Sequence, residues 1–310
     1  MALLSGLFNQ LISVTILSII FIHCKLKAFI YTMQRIIGVV ITYQPEESIF
    51  ENIKSYLSLV DKLIVFDNSE PAATINISND KVIVYADGIN KGISERLNDA
   101  AKIARTLGAD WLLTMDQDSS FSGDNLDAYK NAFELFADKD RTAMIGVRYG
   151  NMPEVPGEMI ADTDLLITSG CLVNLKIMDE LGGFDEALFI DDVDSEYCLK
   201  ANLNGYRTVL FKHIFLNHSL GTVTLHRSLK SLKKTFRALH SPIRIYYMVR
   251  NYFYLAKKYK KSMPASFPIR ERSLLNRLKN NLLYNKERLK VVQNVILAWS
   301  HFKKGKMGRL

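Results

Sequence analysis

The densest chemistry in the sequence lies where an apolar run, Trp111-Leu112-Leu113-Thr114-Met115, ends in Asp116-Gln117-Asp118-Ser119. A short apolar run bounded by turn-formers reads as a buried strand, with the acids at its exit. At an extended tip, side chains two apart point the same way, so the carboxylates of Asp116 and Asp118 converge. Converging carboxylates repel unless a cation holds them. A hard divalent ion takes carboxylate oxygens and bridges to phosphates, and open α/β sheets bind ligands beyond the carboxyl ends of their strands. The pair therefore points to a metal–diphosphate site. An isolated Asp-x-Asp is more often a polar turn, so the surrounding elements must decide. A second acidic group, Asp191-Asp192-Val193-Asp194-Ser195-Glu196, opens a helix expected over 193–203. Acids are common at helix starts for their interaction with the dipole, but a carboxylate there can also take a proton as a general base.

The elements before these acids alternate strand and helix. Ile36 to Tyr43 is a β-branched strand stopped by Gln44-Pro45, and Glu46 to Val60 has helical spacing. Leu63-Ile64-Val65-Phe66 is a second strand ending in Asp67-Asn68-Ser69. Lys81 to Tyr85 is a third, leading to Asn90-Lys91-Gly92, and a helix over 93–107 precedes the strand that ends at Asp116. This order predicts an α/β fold with a mostly parallel sheet. Four successive strand ends carry Thr-Tyr, Asp-Asn-Ser, Asn-Lys-Gly and Asp-Gln-Asp on one sheet edge. Each alone fits an ordinary turn; together they favour nucleotide binding.

Charge divides the 310 residues sharply. Residues 1–220 carry 18 Lys+Arg against 30 Asp+Glu, and residues 221–310 carry 22 against 2, within a net charge of +8. The acidic part holds the metal candidates; the basic part suits an anionic partner. Leu274 to Trp299 repeats apolar residues at helical spacing among Lys and Arg, a basic amphipathic pattern pointing to a membrane surface. No nucleic-acid-binding motif is present, so nucleic acid is not expected. Cys24, Cys171 and Cys198 have no paired spacing, which suits a reducing compartment and argues against structural zinc. Residues 1–32 are apolar enough to span a bilayer, with Lys25, Lys27 and Arg35 placing the bulk of the chain on the cytoplasmic side. A true anchor, an interfacial helix and an upstream mis-start before Met33 all remain open.

The motifs resemble family-2 glycosyltransferases, in their rhamnosyltransferase-like branch. The resemblance rests on Val39-Val40-Ile41-Thr42-Tyr43, Phe66-Asp67-Asn68-Ser69, Asn90-Lys91-Gly92-Ile93-Ser94, and Gly108 through Ser119. It continues through Thr168-Ser169-Gly170-Cys171, Gly182-Gly183-Phe184-Asp185-Glu186, Phe189 to Lys200, Phe215 to Gly221, and Ser241 to Asn251, covering roughly residues 35–255. It implies a GT-A fold, with a catalytic domain over 33–222 followed by basic helices over 223–310.

By the same resemblance the donor is a nucleotide-diphosphate sugar, with Thr42, Tyr43, Asp67, Asn90 and Asn98 at the nucleotide. Asp118, Asp116 and His218 are implied as ligands of Mg²⁺ or Mn²⁺, with Asp116 facing ribose or metal. Aligning Cys198-Leu199-Lys200 on the family pattern puts the base at Asp194 and the later acid at Glu196. Val193 and Lys200 depart from that pattern, which keeps Asp191 and Asp192 as alternative bases. Gly170 is expected to let the acceptor approach the backbone, and Arg244 and Arg250 to neutralise the diphosphate or a lipid phosphate.

The reading is an inverting, metal-dependent glycosyltransferase at the cytoplasmic face of the inner or plasma membrane. The resemblance implies dTDP-rhamnose as donor and a lipid-linked oligosaccharide as acceptor, in surface polysaccharide synthesis. Transfer of another sugar, such as galactofuranose from UDP, is the rival within the class. A non-catalytic nucleotide-sugar-binding membrane partner is the rival outside it, although a binding module needs no base. A nucleotidyltransferase would want a Gly-rich phosphate loop after its first strand, and Ile41-Thr42-Tyr43-Gln44-Pro45 is not one.

Overall fold

In a computed structural model, residues 34–150, 159–218, 223–227 and 233–310 are described. The N-terminal apolar segment and Cys24 lie outside the described residues. Residues 36–310 form one compact unit, so the region after residue 222 packs into the same body as the expected catalytic domain.

The chain runs β1 (Ile36–Thr42), α1 (Ile49–Tyr56), β2 (Lys62–Asp67), β3 (Val82–Tyr85), α2 (Gly92–Thr106), β4 (Trp111–Asp116), β5 (Ser119–Ser120) and α3 (Gly123–Leu135). It continues through β6 (Thr142–Tyr149), β7 (Ile160–Asp162), β8 (Cys171–Asn174), α4 (Leu175–Glu180), α5 (Val193–Leu203) and β9 (Arg207–His218). After these come β10 (Val223–Arg227), β11 (Lys234–Ala238), α6 (Pro242–Tyr259), α7 (Phe267–Tyr284) and α8 (Arg288–Lys303).

The central sheet has the order β3-β2-β1-β4-β8-β6-β9. β3, β2, β1 and β4 are mutually parallel. β8 runs against both β4 and β6, and β9 is parallel to β6. The main strands therefore share one direction except β8, and the ends of β1 to β4 fall on one edge as expected.

Alternation in the strands explains why both faces are covered. Ile37, Val39, Ile64, Phe66 and Leu112 point to one core, which α2, α4, α5 and part of α6 close. Val40, Leu63, Val65, Trp111, Leu113 and Met115 point to the other, closed by α1 and α3. Strands apolar on both faces are the signature of a sheet sandwiched by helices. A third cluster joins Ile245, Tyr246 and Val249 of α6 to Val291 and Ala298 of α8. The structure is thus α/β with a large, mostly parallel sheet and C-terminal helices.

One expectation needs correcting here. The basic region does not consist of helices alone, because β10 and β11 form an antiparallel hairpin ahead of α6. Alternating Lys/Arg with Leu and Phe in that stretch fits period two as well as it fits a helix.

Candidate active site

The first carboxylate closes a strand. Asp116 is the last residue of β4, and Gln117 and Asp118 form a turn before β5. The two acids are therefore joined by a turn, not by the extended tip expected from sequence. Gln117, which sequence reasoning passed over, locks the turn. Its Oε1 accepts the Tyr43 N–H at 2.8 Å and its Nε2 donates to the Tyr43 carbonyl at 3.3 Å. Its own carbonyl accepts from Asn52 at 2.9 Å. The acid-bearing tip of β4 is therefore fastened to the tip of β1 next to it.

Thr42 and Asp67 build the floor between the β1 and β2 tips. Both are fully buried. The Thr42 hydroxyl donates to Asp67 Oδ1 at 3.1 Å, which also accepts from the Ser69 N–H and hydroxyl, while Oδ2 accepts the Ala73 N–H at 2.6 Å. Asp67 thus shapes its own loop from beneath, and Tyr43, half exposed, projects from the edge. Asn90 closes its turn by accepting the Gly92 N–H at 3.0 Å.

The second acidic group sits at the start of α5. Asp191 and Asp192 both have left-handed backbones, with φ of 62° and 61°. That conformation is unfavourable for residues with a Cβ and tends to be kept at working sites. Asn251 of α6 holds it by donating to the Ile190 and Asp191 carbonyls at 2.8 and 2.9 Å. Asp191 is engaged by the Arg244 guanidinium at 3.2–3.3 Å. The charge of Asp191, and more weakly those of Asp116 and Asp118, raise the Arg244 pKa further.

Asp194 is partly enclosed, and burial pushes its carboxyl up to about 6, helped by the charges of Asp116 and Asp191 and opposed by the Ser195 N–H. Asp192 is pushed up to about 7 by burial and by Asp194 and Asp191. Asp191 is occupied by an arginine, whereas Asp194 and its neighbour Asp192 are both carboxyls raised toward neutral pH, as a general base requires.

Glu196 has a different part. It is fully buried and bonded to Tyr259 at 2.5 Å and Lys258 at 2.8 Å, with Lys200 at 3.3 Å. Lys258 also reaches Asp185 at 2.8 Å. These contacts fix α5 and the Gly-Gly-Phe-Asp turn onto α6.

Three expected site residues have other roles. Asn98 grips the Gly-Gly-Phe-Asp turn, accepting the Phe184 N–H at 2.8 Å and donating to its carbonyl at 2.9 Å. It is drawn there by sitting on α2 beneath that turn, not at the nucleotide edge. Arg250 is buried and donates to the Tyr246 hydroxyl at 3.1 Å, Asn251 Oδ1 at 3.2 Å and the Gly308 carbonyl at 2.7 Å. A guanidinium so enclosed does not face a diphosphate. Gly170 has φ of 68°, and a Cβ there would lie 2.8 Å from Val147 and 3.2 Å from Leu216. Core packing, not sugar approach, demands that glycine. The side chain of His218 lies outside the described residues; its backbone pairs with Ser119.

The donor set fits a hard cation. Among the described residues, no group of three or more His, Cys, Asp and Glu converges on one point. Mg²⁺ is ordinarily held by one or two carboxylates together with substrate phosphates and water, and Asp116 and Asp118 are two carboxylates one residue apart at the turn after β4. Next to Asp118 opens a cleft of about 630 Å³, lined by Gln44, Ser48, Asn52, Gln117, Ser120 and Asn217 among others. These amides and hydroxyls are suited to hydrogen-bonding a polar ligand.

No protein-family model matches the chain. The chain is similar to dTDP-rhamnosyl transferase RfbF of Shigella flexneri, at 28% identity over 259 residues, which is 76% of this chain and 84% of the relative. Among solved structures it is similar to GalNAc-T7 with UDP, GalNAc and Mn²⁺, at 12% identity and a TM-score of 0.48, covering 61% of this chain and 44% of that one. It is also similar to S. aureus TarS 1-349, at 15% identity and a TM-score of 0.44, covering 89% and 93%. The resemblance to rhamnosyltransferase-like glycosyltransferases, drawn above from motifs, thus extends to a relative matched over most of the chain, and that relative is a sugar transferase.

Proposed function

We propose that this chain is an inverting glycosyltransferase that moves rhamnose from dTDP-rhamnose to a lipid-linked oligosaccharide at the cytoplasmic face of a membrane, in the making of a surface polysaccharide. The observation that carries the catalytic part is Asp194. Its carboxyl is raised to about 6 by burial and by the charges of Asp116 and Asp191, and it lies in the same acidic segment as Asp191, with which Arg244 pairs. A binding module needs no base. The sugar assignment is supported by the 28% identical relative, whose name carries dTDP-rhamnose specificity.

In the proposed reaction an acceptor hydroxyl gives its proton to Asp194 as its oxygen bonds to the anomeric carbon. The bond from that carbon to the diphosphate oxygen breaks, and dTDP leaves with the electron pair. Attack opposite the leaving group inverts the configuration. Asp116 and Asp118 would hold Mg²⁺ or Mn²⁺, which when bound supplies Lewis-acid stabilisation of the leaving diphosphate. Arg244 can turn from Asp191 toward a phosphate oxygen, a charge-assisted partner of similar strength. Asn251 keeps the strained Asp191–Asp192 backbone in place, and Glu196 keeps α5 seated.

Membrane contact is supported by the C-terminal helices. Leu289 is 81% exposed and Ile296 64%, with Leu275, Val292 and Trp299 also exposed, on helices rich in Lys and Arg. Apolar side chains rimmed by cations suit an anionic lipid surface. Among the described residues no helix is long and apolar enough to cross a membrane.

Donor binding tests the whole reading. Calorimetry with Mg²⁺ or EDTA should find metal-dependent binding of dTDP-rhamnose in preference to UDP-galactofuranose and UDP-glucose. Preference for a different donor would keep the chemistry and overturn the sugar; no binding to any would move the weight to the non-catalytic reading.

A further inference from the structure

Residues 307–310 return to the loops that follow β2 and β3. Met307 packs against the α2-side core. The Gly308 N–H donates to the Ala187 carbonyl at 2.9 Å, and its own carbonyl accepts from Arg250 at 2.7 Å. The Leu310 N–H donates to the Tyr247 hydroxyl at 2.9 Å. Arg309 is therefore delivered from a backbone held on both sides. Its Nη1 reaches Glu70 Oε1 at 2.7 Å and its Nη2 reaches Glu70 Oε2 at 2.5 Å, a two-pronged pairing. Nη1 also donates to the Asn90 carbonyl at 3.2 Å, while Glu70 Oε1 accepts the Asn90 N–H at 2.8 Å. The guanidinium lies 5.9 Å from the centre of the Phe189 ring, and Ser69, the residue before Glu70, accepts the N–H of Gln44, the residue after Tyr43, at 2.7 Å.

Glu70 follows β2 and Asn90 follows β3, so one side chain ties together two neighbouring loops of the edge that ends in Tyr43. An exposed ion pair alone contributes little, because two long side chains must be ordered to make it. Here the backbone on either side of Arg309 is already fixed, and the forked geometry matches a carboxylate. Arg250, buried and away from the diphosphate, gains a role in the same feature: it anchors the segment through Gly308.

We propose that residues 307–310 form a strap that completes the donor site. Arg309 is a positioning residue for a nucleoside diphosphate, holding the Glu70 and Asn90 loops as the wall beside Tyr43. The inference rests on the reading that Tyr43 and Asn90 border the donor nucleotide.

The test uses the whole chain with Mg²⁺ and titrates dTDP and UDP into wild type, Arg309→Ala, Arg309→Lys and Glu70→Gln, alongside donor KM, kcat and thermal unfolding. Arg309→Ala is expected to weaken the preferred nucleotide about tenfold and raise donor KM equally, with kcat changed by less than about twofold. Glu70→Gln should show the same split, Arg309→Lys a smaller one, and the double variant Glu70→Gln/Arg309→Ala no more than the worse single. Glu70→Gln and Arg309→Lys keep the test open should Arg309→Ala fold poorly. Wild-type affinity in Arg309→Ala, or a loss confined to kcat, would overturn the strap while leaving the donor site standing. Wild-type protein that binds neither nucleotide would overturn the donor site and the strap together.

Discussion

Replacing Asp194 by asparagine should separate catalysis from stability, in opposite directions. Moving a carboxyl from 3.8 to about 6 corresponds to about 3 kcal/mol against its charged form. Solvent reaching this partly exposed group reduces the effect on folding to about 1–3 kcal/mol. The sign follows from proton counting. Between about pH 4 and pH 6 the folded chain holds the proton and the unfolded chain has released it, so stability falls as pH rises through that window and stays lower above it. Asparagine carries no proton to lose. Asp194→Asn should therefore melt about 2–6 °C higher than wild type at pH 7.5 and show little difference at pH 4. Asp116, Asp191 and Asp192 face the same group, and their mutual repulsion eases when one charge is removed. Transfer should fall about 10²–10⁴-fold while donor affinity is kept. In wild type, kcat/KM should drop on the acid side of about pH 6. Calorimetric melting at the two pH values and a sugar-transfer assay provide the readings. An asparagine variant that transfers at wild-type rate, or that melts lower at pH 7.5, would refute the assignment and leave Asp192 as the next candidate.

Other substitutions address the remaining parts. Asp118→Ala should abolish metal-dependent donor binding in calorimetry, and unchanged affinity with Mg²⁺ present would sink the metal assignment. Gly170→Ala places a Cβ 2.8 Å from Val147 at a positive φ, and should cost about 1–3 kcal/mol in urea unfolding; an unchanged midpoint would contradict the packing described. Lys258→Ala leaves buried Glu196 with fewer partners, and a loss of about 1–3 kcal/mol is expected, reduced because Lys258 is partly exposed. Leu289→Glu with Ile296→Glu should abolish sedimentation with anionic vesicles while leaving transfer to a soluble acceptor intact. Equal sedimentation with the variant would remove these helices from the membrane contact.

The parallel half of the sheet was readable because β1, β2 and β4 are apolar runs with polar ends, and α5 began and ended at the residues its pattern predicted, Val193 and Leu203. The acids at the strand ends were readable for the same reason. What escaped was whatever depends on residues far apart. Nothing near Gln117 in the sequence announces that its amide will clasp Tyr43, and Arg309 lies 239 positions from Glu70. Asn98 and Arg250 were misread because polar side chains near a motif look alike whether they touch a ligand or hold a turn. Gly170 was misread because its crowding comes from Val147 and Leu216 on other strands. The hairpin before α6 was missed where a basic, apolar-rich stretch supports two periodicities at once.

The position of Arg244 on α6 has a consequence for how the protein comes into being. By the time residue 222 has been synthesised, every acid of both clusters exists, in a stretch that carries a large excess of negative charge. The arginine that pairs with Asp191, the asparagine that holds the strained backbone and Lys258, the nearer of two lysines beside Glu196, all arrive later, on one helix. Until then, nothing on that helix offsets the repulsion among those carboxylates. Arrival of 242–259 supplies the missing charge and the missing packing in one step.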